Sequence, residues 1–271
     1  MRILFLGDIV GRSGREAVGK HLPSLRTRLK VDVAIVNGEN AAHGVGITPD
    51  ICKELYSYGV DCITTGNHAW DKREIIPYID KDPKLLRPLN YPQGTPGKGS
   101  YVHVLQDGRK VLIANAMGRL FMDTLDDPFA ATETLLKKHT LKMNVNAVFI
   151  DFHAETTSEK MAFGHCFDGR VSAVVGSHTH IPTADAHVMA GGTAFQTDGG
   201  MCGDYDSVIG VRKDISVLRF TRKMPTERMV PADGEATACG MFVETDDSTG
   251  LAVRVEPVRI GGILKEYVPE V

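Results

Sequence analysis

Short apolar runs alternate with amphipathic segments along much of the chain. Five runs, at residues 3–6, 31–36, 60–65, 145–150 and 171–175, are rich in apolar residues, as expected of strands buried on both faces of a parallel sheet. Between the second and third runs, apolar residues recur at helical spacing from Ile47 to Tyr58. Thr48 followed by Pro49 is a favourable start for that helix. The alternation of strands and helices predicts an α/β architecture with a largely parallel sheet.

Two local patterns predict where the helix that follows the apolar run at residues 3–6 begins and ends. Ser13 and Glu16 have the spacing of a capping box, which predicts a helix that begins near Gly14. Pro23 is expected to kink that helix or end it, because proline cannot donate the backbone hydrogen bond of a helix interior.

The segment of residues 87–110 differs from what precedes it, because it is rich in proline and glycine and then alternates through residues 101–105. Its turn at residues 106–109 predicts a hairpin, so a second, antiparallel element is expected to begin here. Residues 192–197 and 215–221 are predicted as further strands, and the alternation around residues 241–243 and 251–255 predicts antiparallel sheet. We find no linker, repeat or low-complexity tract, so we expect one domain over residues 1–271.

Composition narrows the class of protein. The 271 residues are 42% hydrophobic and carry a net charge of -3 without a basic stripe, so an extended nucleic-acid surface is not expected. Five scattered cysteines, never spaced as C-x-x-C, argue for a reducing compartment and against thiolate zinc. The N-terminal apolar run is too short for a signal segment, and no run reaches transmembrane length. We therefore expect a cytoplasmic protein with no membrane partner, and a homo-oligomer stays open.

Residues able to hold a metal ion follow each of the five apolar runs. In chain order they are Asp8, Glu39 with Asn40, Asn67 with His68, His153, and His178 with His180. Each alone is more simply a helix cap, a turn residue or a hydrogen-bonded histidine. The carboxyl ends of strands, however, share the edge of an α/β sheet where functional sites lie, which favours one shared metal site.

The number of donors indicates more than one ion. Six or seven oxygen and nitrogen donors exceed the needs of one tetrahedral ion and fit two ions about 3.5–4 Å apart. Glu39 is the natural bridging carboxylate. A ligand set of carboxylate, amide and imidazole suits iron, manganese or zinc and does not select among them.

The motifs that carry these residues resemble the signature of the calcineurin-like metallophosphoesterases. Gly-Asp, Gly-Glu-Asn, Gly-Asn-His, a later histidine and Gly-Ser-His-Thr-His occur in that order. Further motifs at residues 90–97, 153–160 and 205–210 resemble the bacterial YmdB-like branch, and the match runs essentially from end to end. The resemblance implies a four-layer α-β-β-α sandwich of two mixed sheets flanked by helices, with the metal site at the carboxyl ends of the strands.

The resemblance also implies an activity and a role for each residue. It implies hydrolysis of small-molecule phosphodiesters, with 2′,3′-cyclic nucleotides as candidate substrates, by two divalent or mixed-valence metal ions, most often iron. The first ion would be held by Asp8, Glu39, Asn40 and His180. The second would be held by Glu39, Asn67, His153 and His178. His68 would be the proton donor.

Two positions depart from the wider superfamily. Val10 stands where its first motif usually has a histidine, so the first ion lacks one imidazole, for which Asn40 could substitute. Ala69 stands where a carboxylate often follows the histidine of Gly-Asn-His. If His68 needs an orienting acid, Asp71 is the nearest one along the chain.

The expected chemistry is attack by hydroxide. Two divalent ions lower the pKa of a bridging water toward about 7, and that hydroxide would attack phosphorus in line while His68 protonates the departing alkoxide. Two alternatives stay open. One is another metal-dependent hydrolase, such as a phosphomonoesterase or an amidohydrolase, and the other is a regulatory scaffold with a structural metal site.

Overall fold

The computed structural model describes residues 1–223 and 227–271, which form two β-sheets and six α-helices. The strands are β1 (Arg2–Leu6), β2 (Asp8–Ile9), β3 (Val33–Asn37), β4 (Cys62–Thr64), β5 (Ser100–Val104), β6 (Lys110–Met117), β7 (Ala147–His153), β8 (Ala173–Ser177), β9 (His187–Val188), β10 (Ala194–Gln196), β11 (Met201–Gly203), β12 (Thr237–Thr245) and β13 (Ala252–Ile260). The helices are α1 (Gly11–Arg28), α2 (Pro49–Ser57), α3 (Ile76–Ile79), α4 (Pro128–Leu136), α5 (Thr157–Phe167) and α6 (Lys213–Arg222), and a 3-10 turn spans Arg73–Ile75.

Both sheets are mixed. In the first, the strand order is β2-β11-β12-β1-β3-β4, with β13 paired to β12. Strands β1, β3 and β4 are parallel to one another, whereas β12 runs antiparallel to both β1 and β13. In the second sheet the order is β5-β6-β7-β8-β10-β9. Its four inner strands are parallel and its two edge strands are antiparallel to their neighbours, and the hairpin predicted at residues 106–109 joins β5 to β6.

The two sheets pack face to face, because their central strands are apolar on both sides. In β1, Ile3 and Phe5 point toward the second sheet, where the rings of Phe5 and Phe149 lie 5.5 Å apart between centroids. Leu4 and Leu6 point the other way, into a core shared with α1 and α2. A third core lies between the outer face of the second sheet and helices α4 and α5. The four-layer α-β-β-α sandwich of two mixed sheets is thereby confirmed.

Residues 215–221 belong to helix α6, so the prediction of a strand there is wrong. A short apolar run fits either kind of element. Here Asp214 lies in the first turn, and Arg219 and Arg222 lie in the last, so the charges complement the helix dipole.

Helix α1 also differs from its prediction. It begins at Gly11, and Ser13 is not its cap, because the buried Ser13 hydroxyl donates to the Ala232 carbonyl at 3.1 Å. Pro23 does not end the helix, because it lies on the exposed face, where water can satisfy the carbonyl that proline leaves unpaired. Among the described residues, no helix is long and apolar enough to cross a membrane.

We expect Phe163→Ala to lower the free energy of unfolding by about 3–5 kcal/mol. Phe163 is fully buried in α5, and its ring centroid lies 4.0 Å from that of Phe152 and 4.8 Å from that of Phe167. Its removal therefore leaves a cavity between the helix and the second sheet, which denaturant unfolding will measure. Phe121→Ala is the control, because Phe121 is 90% exposed. Equal losses in the two variants would contradict this description of the core.

Candidate metal centre

Both sheets deliver polar side chains to one edge of the sandwich. From the first sheet come Asp8 in β2, Glu39 and Asn40 after β3, and Asn67 after β4, and from the second come His153 at the end of β7 and His178 and His180 after β8. Asp8, Glu39 and His153 are almost fully buried. The structure thus brings together every residue that the sequence predicts as a metal ligand.

The charged and imidazole ligand atoms form two groups that share Glu39. Asp8, Glu39 and His180 make the first group, and Glu39, His153 and His178 make the second. Within each group the ligand atoms lie within 4.8 Å of one another. The two histidines of the Gly-Ser-His-Thr-His motif therefore fall into different groups, one on each side of Glu39.

One asparagine lies beside each group. Nδ2 of Asn40 is 3.1 Å from Nε2 of His180 in the first group, and Oδ1 of Asn67 is 3.0 Å from Nε2 of His153 in the second. An amide binds a cation through its oxygen, so Asn40 would present Oδ1 after a half-turn of its amide. Asn67 already directs its oxygen toward the second group.

Several hydrogen-bond acceptor atoms of the centre lie close to one another, and a single proton on one of them could not form hydrogen bonds to all the others. Nε2 of His153 lies 3.2 Å from Oε1 of Glu39 and 3.0 Å from Oδ1 of Asn67. It also lies 3.1 Å from Nδ1 of His178. Oδ1 of Asp8 is buried and has no hydrogen-bond partner within the part of the chain that the structure describes. Unpaired buried acceptors cost free energy, and a cation among them would satisfy them all, so these residues fit a metal site.

Burial and mutual charge set the protonation of the centre. Burial raises the pKa of Asp8 to about 7, although His180 and His153 oppose the shift. Burial would also raise the pKa of Glu39, but His153 lowers it to about 2. For His153, burial lowers the pKa but is outweighed by Glu39 and Asp8, which raise it to about 9. Burial and the charge of His153 lower the pKa of His178 to about 3. Glu39 is therefore held as a carboxylate between the groups.

In each histidine of the centre, one ring nitrogen is engaged by an oxygen atom outside the ligand groups. For His153 this is Nδ1, which lies 2.8 Å from Oγ of Ser177. Ser177 donates its single proton to Oδ1 of Asp151 at 2.6 Å, so its oxygen accepts the hydrogen bond from His153. In the neutral ring the lone pair is therefore on Nε2, which faces the other ligand atoms.

The other two histidines follow the same rule with different partners. Nε2 of His178 is 3.0 Å from Oε2 of the exposed Glu155, and its Nδ1 faces the second group. Nδ1 of His180 is 2.7 Å from the carbonyl oxygen of Ile209, which can only accept a hydrogen bond. Nε2 of His180 therefore faces the first group. Imidazoles fixed with their lone pairs inward are what a metal site requires.

The Asp151 carboxylate also ties the two sheets together beneath the centre. It is fully buried in β7, and its Oδ2 accepts hydrogen bonds from Asn37 at 3.0 Å and from Thr64 at 2.5 Å. These two donors end β3 and β4 of the other sheet. The amide oxygen of Asn37 in turn accepts from the backbone N–H of Glu39 at 3.1 Å. One buried carboxylate thus positions residues from both sheets.

The loop that carries His178 and His180 has an unusual backbone conformation. Their φ angles are 100° and 69°, in a region that residues with a Cβ rarely adopt. Between them, Thr179 donates its backbone N–H and its hydroxyl to Oδ2 of the buried Asp198, at 3.1 and 2.7 Å. Nζ of the buried Lys160 lies 2.8 Å from the same oxygen. A buried ion pair therefore holds the strained loop in place.

Gly66 leaves room for the centre. A Cβ built on this residue would lie 2.3 Å from Oε2 of Glu39 and 2.3 Å from Nε2 of His153. No side chain fits at that distance. The requirement for glycine is therefore one of space, since the backbone passes directly beside the ligand atoms.

His68 faces a cleft that opens above the centre. The cleft has a volume of about 600 Å³, and its floor includes Glu39, His178 and His180. Nδ1 of His68 is 2.9 Å from Oδ2 of Asp71, the acid that proximity along the chain suggested. Nε2 of His68 is then the ring nitrogen left for a molecule in the cleft.

Sequence reasoning misses three supporting residues. Ser177, Glu155 and Lys160 make the contacts that orient the histidines or hold their loop. The available signal was their place in the motifs at residues 153–160 and 176–180. Which atoms they touch depends on the pairing of β7 with β8 and the packing of α5, which those motifs do not give.

We expect Ser177→Ala to weaken metal binding about 10- to 100-fold, because His153 loses the acceptor that fixes its ring. Competition with a chromogenic chelator measures the affinity. Ser172→Ala is the matched control, since this buried serine just before the same strand donates to the Gly250 carbonyl instead. An unchanged affinity in Ser177→Ala, or an equal loss in Ser172→Ala, would contradict the role of the hydroxyl.

Comparisons with known proteins agree with the motifs. A relative from Bacillus subtilis, a 2′,3′-cyclic-nucleotide 2′-phosphodiesterase, is 46% identical over 260 residues, which cover 96% of this chain and 97% of that protein. The crystal structure of a hypothetical protein from Thermus thermophilus has a TM-score of 0.89 at 42% identity and covers 97% of this chain and 100% of that one. The structure of a Mycoplasma pneumoniae phosphatase has a TM-score of 0.90 at 34% identity, and the match covers 96% of this chain and 93% of that one. The model of the YmdB-like protein family matches residues 4–258, and the chain therefore belongs to that family.

Proposed function

We propose that the chain is a metal-dependent phosphodiesterase, a hydrolase of 2′,3′-cyclic nucleotides with two metal ions at its centre. The observation that carries the proposal is the pair of ligand groups sharing Glu39 on the floor of an open cleft. The name of the Bacillus subtilis relative, at 46% identity, supports the substrate class. An open cleft favours a catalytic site, because a structural metal site has its coordination filled by protein.

Each ligand group would hold one ion. The first ion would be bound by Asp8, Glu39, Asn40 and His180. The second would be bound by Glu39, Asn67, His153 and His178. We propose iron, with manganese and zinc as alternatives, since oxygen and imidazole donors suit all three. Two ions bound there would lower the pKa of water and neutralise charge on phosphoryl oxygens.

His68 would act as the general acid. Asp71 accepts a hydrogen bond from Nδ1 of His68, which orients the ring and leaves Nε2 toward the cleft. Nε2–H would then donate to the oxygen that leaves phosphorus. If the chain acts as the name of its relative states, that oxygen is the ribose 2′ oxygen. It becomes a hydroxyl, and the phosphate stays on the 3′ oxygen.

A phosphomonoesterase is the second candidate. The Mycoplasma pneumoniae structure with a TM-score of 0.90 is described as a phosphatase, and its chain is covered almost fully by this one. The same ligand groups would accept a phosphomonoester, because the charge to be neutralised is also on phosphoryl oxygens. The two candidates differ in the leaving group and in the space that it needs within the cleft.

We also infer a cytoplasmic location. The cysteines Cys52, Cys62, Cys166, Cys202 and Cys239 are all free, and all but Cys166 are buried. Free buried thiols are typical of proteins kept in a reducing compartment.

Hydrolysis should depend on bound metal. We expect elemental analysis to find two ions per chain, and removal of the ions by a chelator to abolish cleavage of nucleoside 2′,3′-cyclic monophosphates. Reloading with iron, manganese or zinc in turn should restore it. Faster turnover of p-nitrophenyl phosphate than of the cyclic nucleotides would favour the phosphatase. A metal-loaded protein that cleaves neither compound would favour a regulatory scaffold.

His68→Ala should lower kcat by about 10²–10⁴-fold while the metal content stays unchanged, because His68 is placed beside the ligand groups and donates only a proton. His178→Ala should lose metal as well as activity. His139→Ala, remote from the cleft, is the control and should keep both. Steady-state kinetics paired with elemental analysis tests this, and equal metal loss in His68→Ala and His178→Ala would refute the acid role.

A further inference from the structure

The cleft above the centre has an apolar side that cleavage of a phosphodiester does not itself require. Six side chains form this side, here called the apolar wall: Val10, Val45, Ile209, Val211, Met229 and Pro231. A cyclic phosphate on the ligand groups takes up a small part of the cleft's volume of about 600 Å³. The remaining space, bounded by the apolar wall, is available to another part of the substrate.

The apolar wall is fixed to the centre by backbone hydrogen bonds. The carbonyl of Ile209 accepts a hydrogen bond from Nδ1 of His180 at 2.7 Å, and His180 belongs to the first ligand group. Two backbone hydrogen bonds, of 2.8 and 3.0 Å, join residues 209–212 to residues 230–232. The position of the wall relative to the ligand groups is therefore set by the fold.

Close packing at two glycines joins the other parts of the wall. A Cβ on Gly44 would lie 2.9 Å from Cγ of Pro231, and a Cβ on Gly210 would lie 2.8 Å from Cγ1 of Val10. Both glycines have positive φ angles, of 89° and 90°. The contributing segments thus meet in close contact, and the apolar wall is a continuous, formed surface.

We propose that the apolar wall binds the nucleobase of the substrate while the cyclic phosphate lies on the ligand groups, an inference that rests on the proposed phosphodiesterase function. The flat faces of a base are favoured on apolar surface, and its polar edges need donors or solvent. His43 and Arg228 line the same cleft, and both are residue types that stack on bases or donate to their edges. The wall itself carries no charge, which favours a neutral base over a second phosphate.

The chemistry of the apolar wall also sets its selectivity. It offers apolar surface, whereas reading one base requires a fixed pattern of donors and acceptors. Stacking on apolar surface tolerates every base, because each base has the same kind of face. The wall therefore distinguishes substrates with a base from those without one, and it accepts purines and pyrimidines alike.

The test compares two substrates that differ only in the base. One is a nucleoside 2′,3′-cyclic monophosphate, and the other is methyl β-D-ribofuranoside 2,3-cyclic phosphate, which keeps the ribose and the cyclic phosphate. We expect the wild-type protein to favour the nucleotide in kcat/KM. The double variant Val45→Ala/Met229→Ala should reduce that preference roughly 10-fold, since the base loses apolar contact equivalent to about two methylenes, each of which contributes about fourfold to binding.

A matched control carries the same changes away from the cleft. Val104→Ala/Met143→Ala alters side chains that are 55% and 82% exposed, and the preference should stay as in the wild type. Three results would overturn the base site alone. They are an equal fall of kcat/KM on both substrates in the double variant, no preference of the wild type for the nucleotide, and the same loss of preference in the control variant. A wild-type protein that cleaves neither compound would overturn the phosphodiesterase function and the base site with it.

Discussion

Asp151 carries a carboxylate at the point where the two sheets meet, and its hydrogen bonds determine how they fit together. A buried carboxylate without partners is costly, and this one is bonded by Asn37 and Thr64 from the first sheet and Ser177 from the second. The arrangement of the sheets that satisfies the carboxylate is therefore favoured over arrangements that leave it unpaired. The same network ends at the ring of His153, so the constraint that joins the sheets also aims a ligand of the centre.

The geometry of the centre is built into the fold. Each of the three imidazoles is held by a hydrogen bond from its far side, to Ser177, Glu155 or the Ile209 carbonyl. The strained loop between β8 and β9 is stabilised by a buried ion pair. The conformational entropy of the three imidazoles is therefore lost during folding, and a cation that enters meets these rings already in position.

The sequence predicts the elements whose chemistry is local. A buried strand followed by a residue able to bind a metal ion is visible as a sequence pattern. For this reason β3, β4, β7 and β8 and the ligands after them could be predicted. The prediction of a strand at residues 215–221 is wrong, because an apolar run of that length suits a strand or a helix. The partner of His153 could not be found either, since it depends on β7 and β8 pairing with His153 opposite Ser177. Register between strands is a tertiary property.

Gly66 shows how a site can constrain a residue that has no functional group. The first atom of any side chain there would occupy the space between the Glu39 carboxylate and the His153 imidazole. Ligands can often be exchanged for others of similar chemistry, as an amide can stand in for an imidazole. The space beside Gly66, in contrast, is lost with any residue that has a Cβ. For a lineage that accumulates mutations, position 66 is therefore constrained by the site although it takes no part in its chemistry.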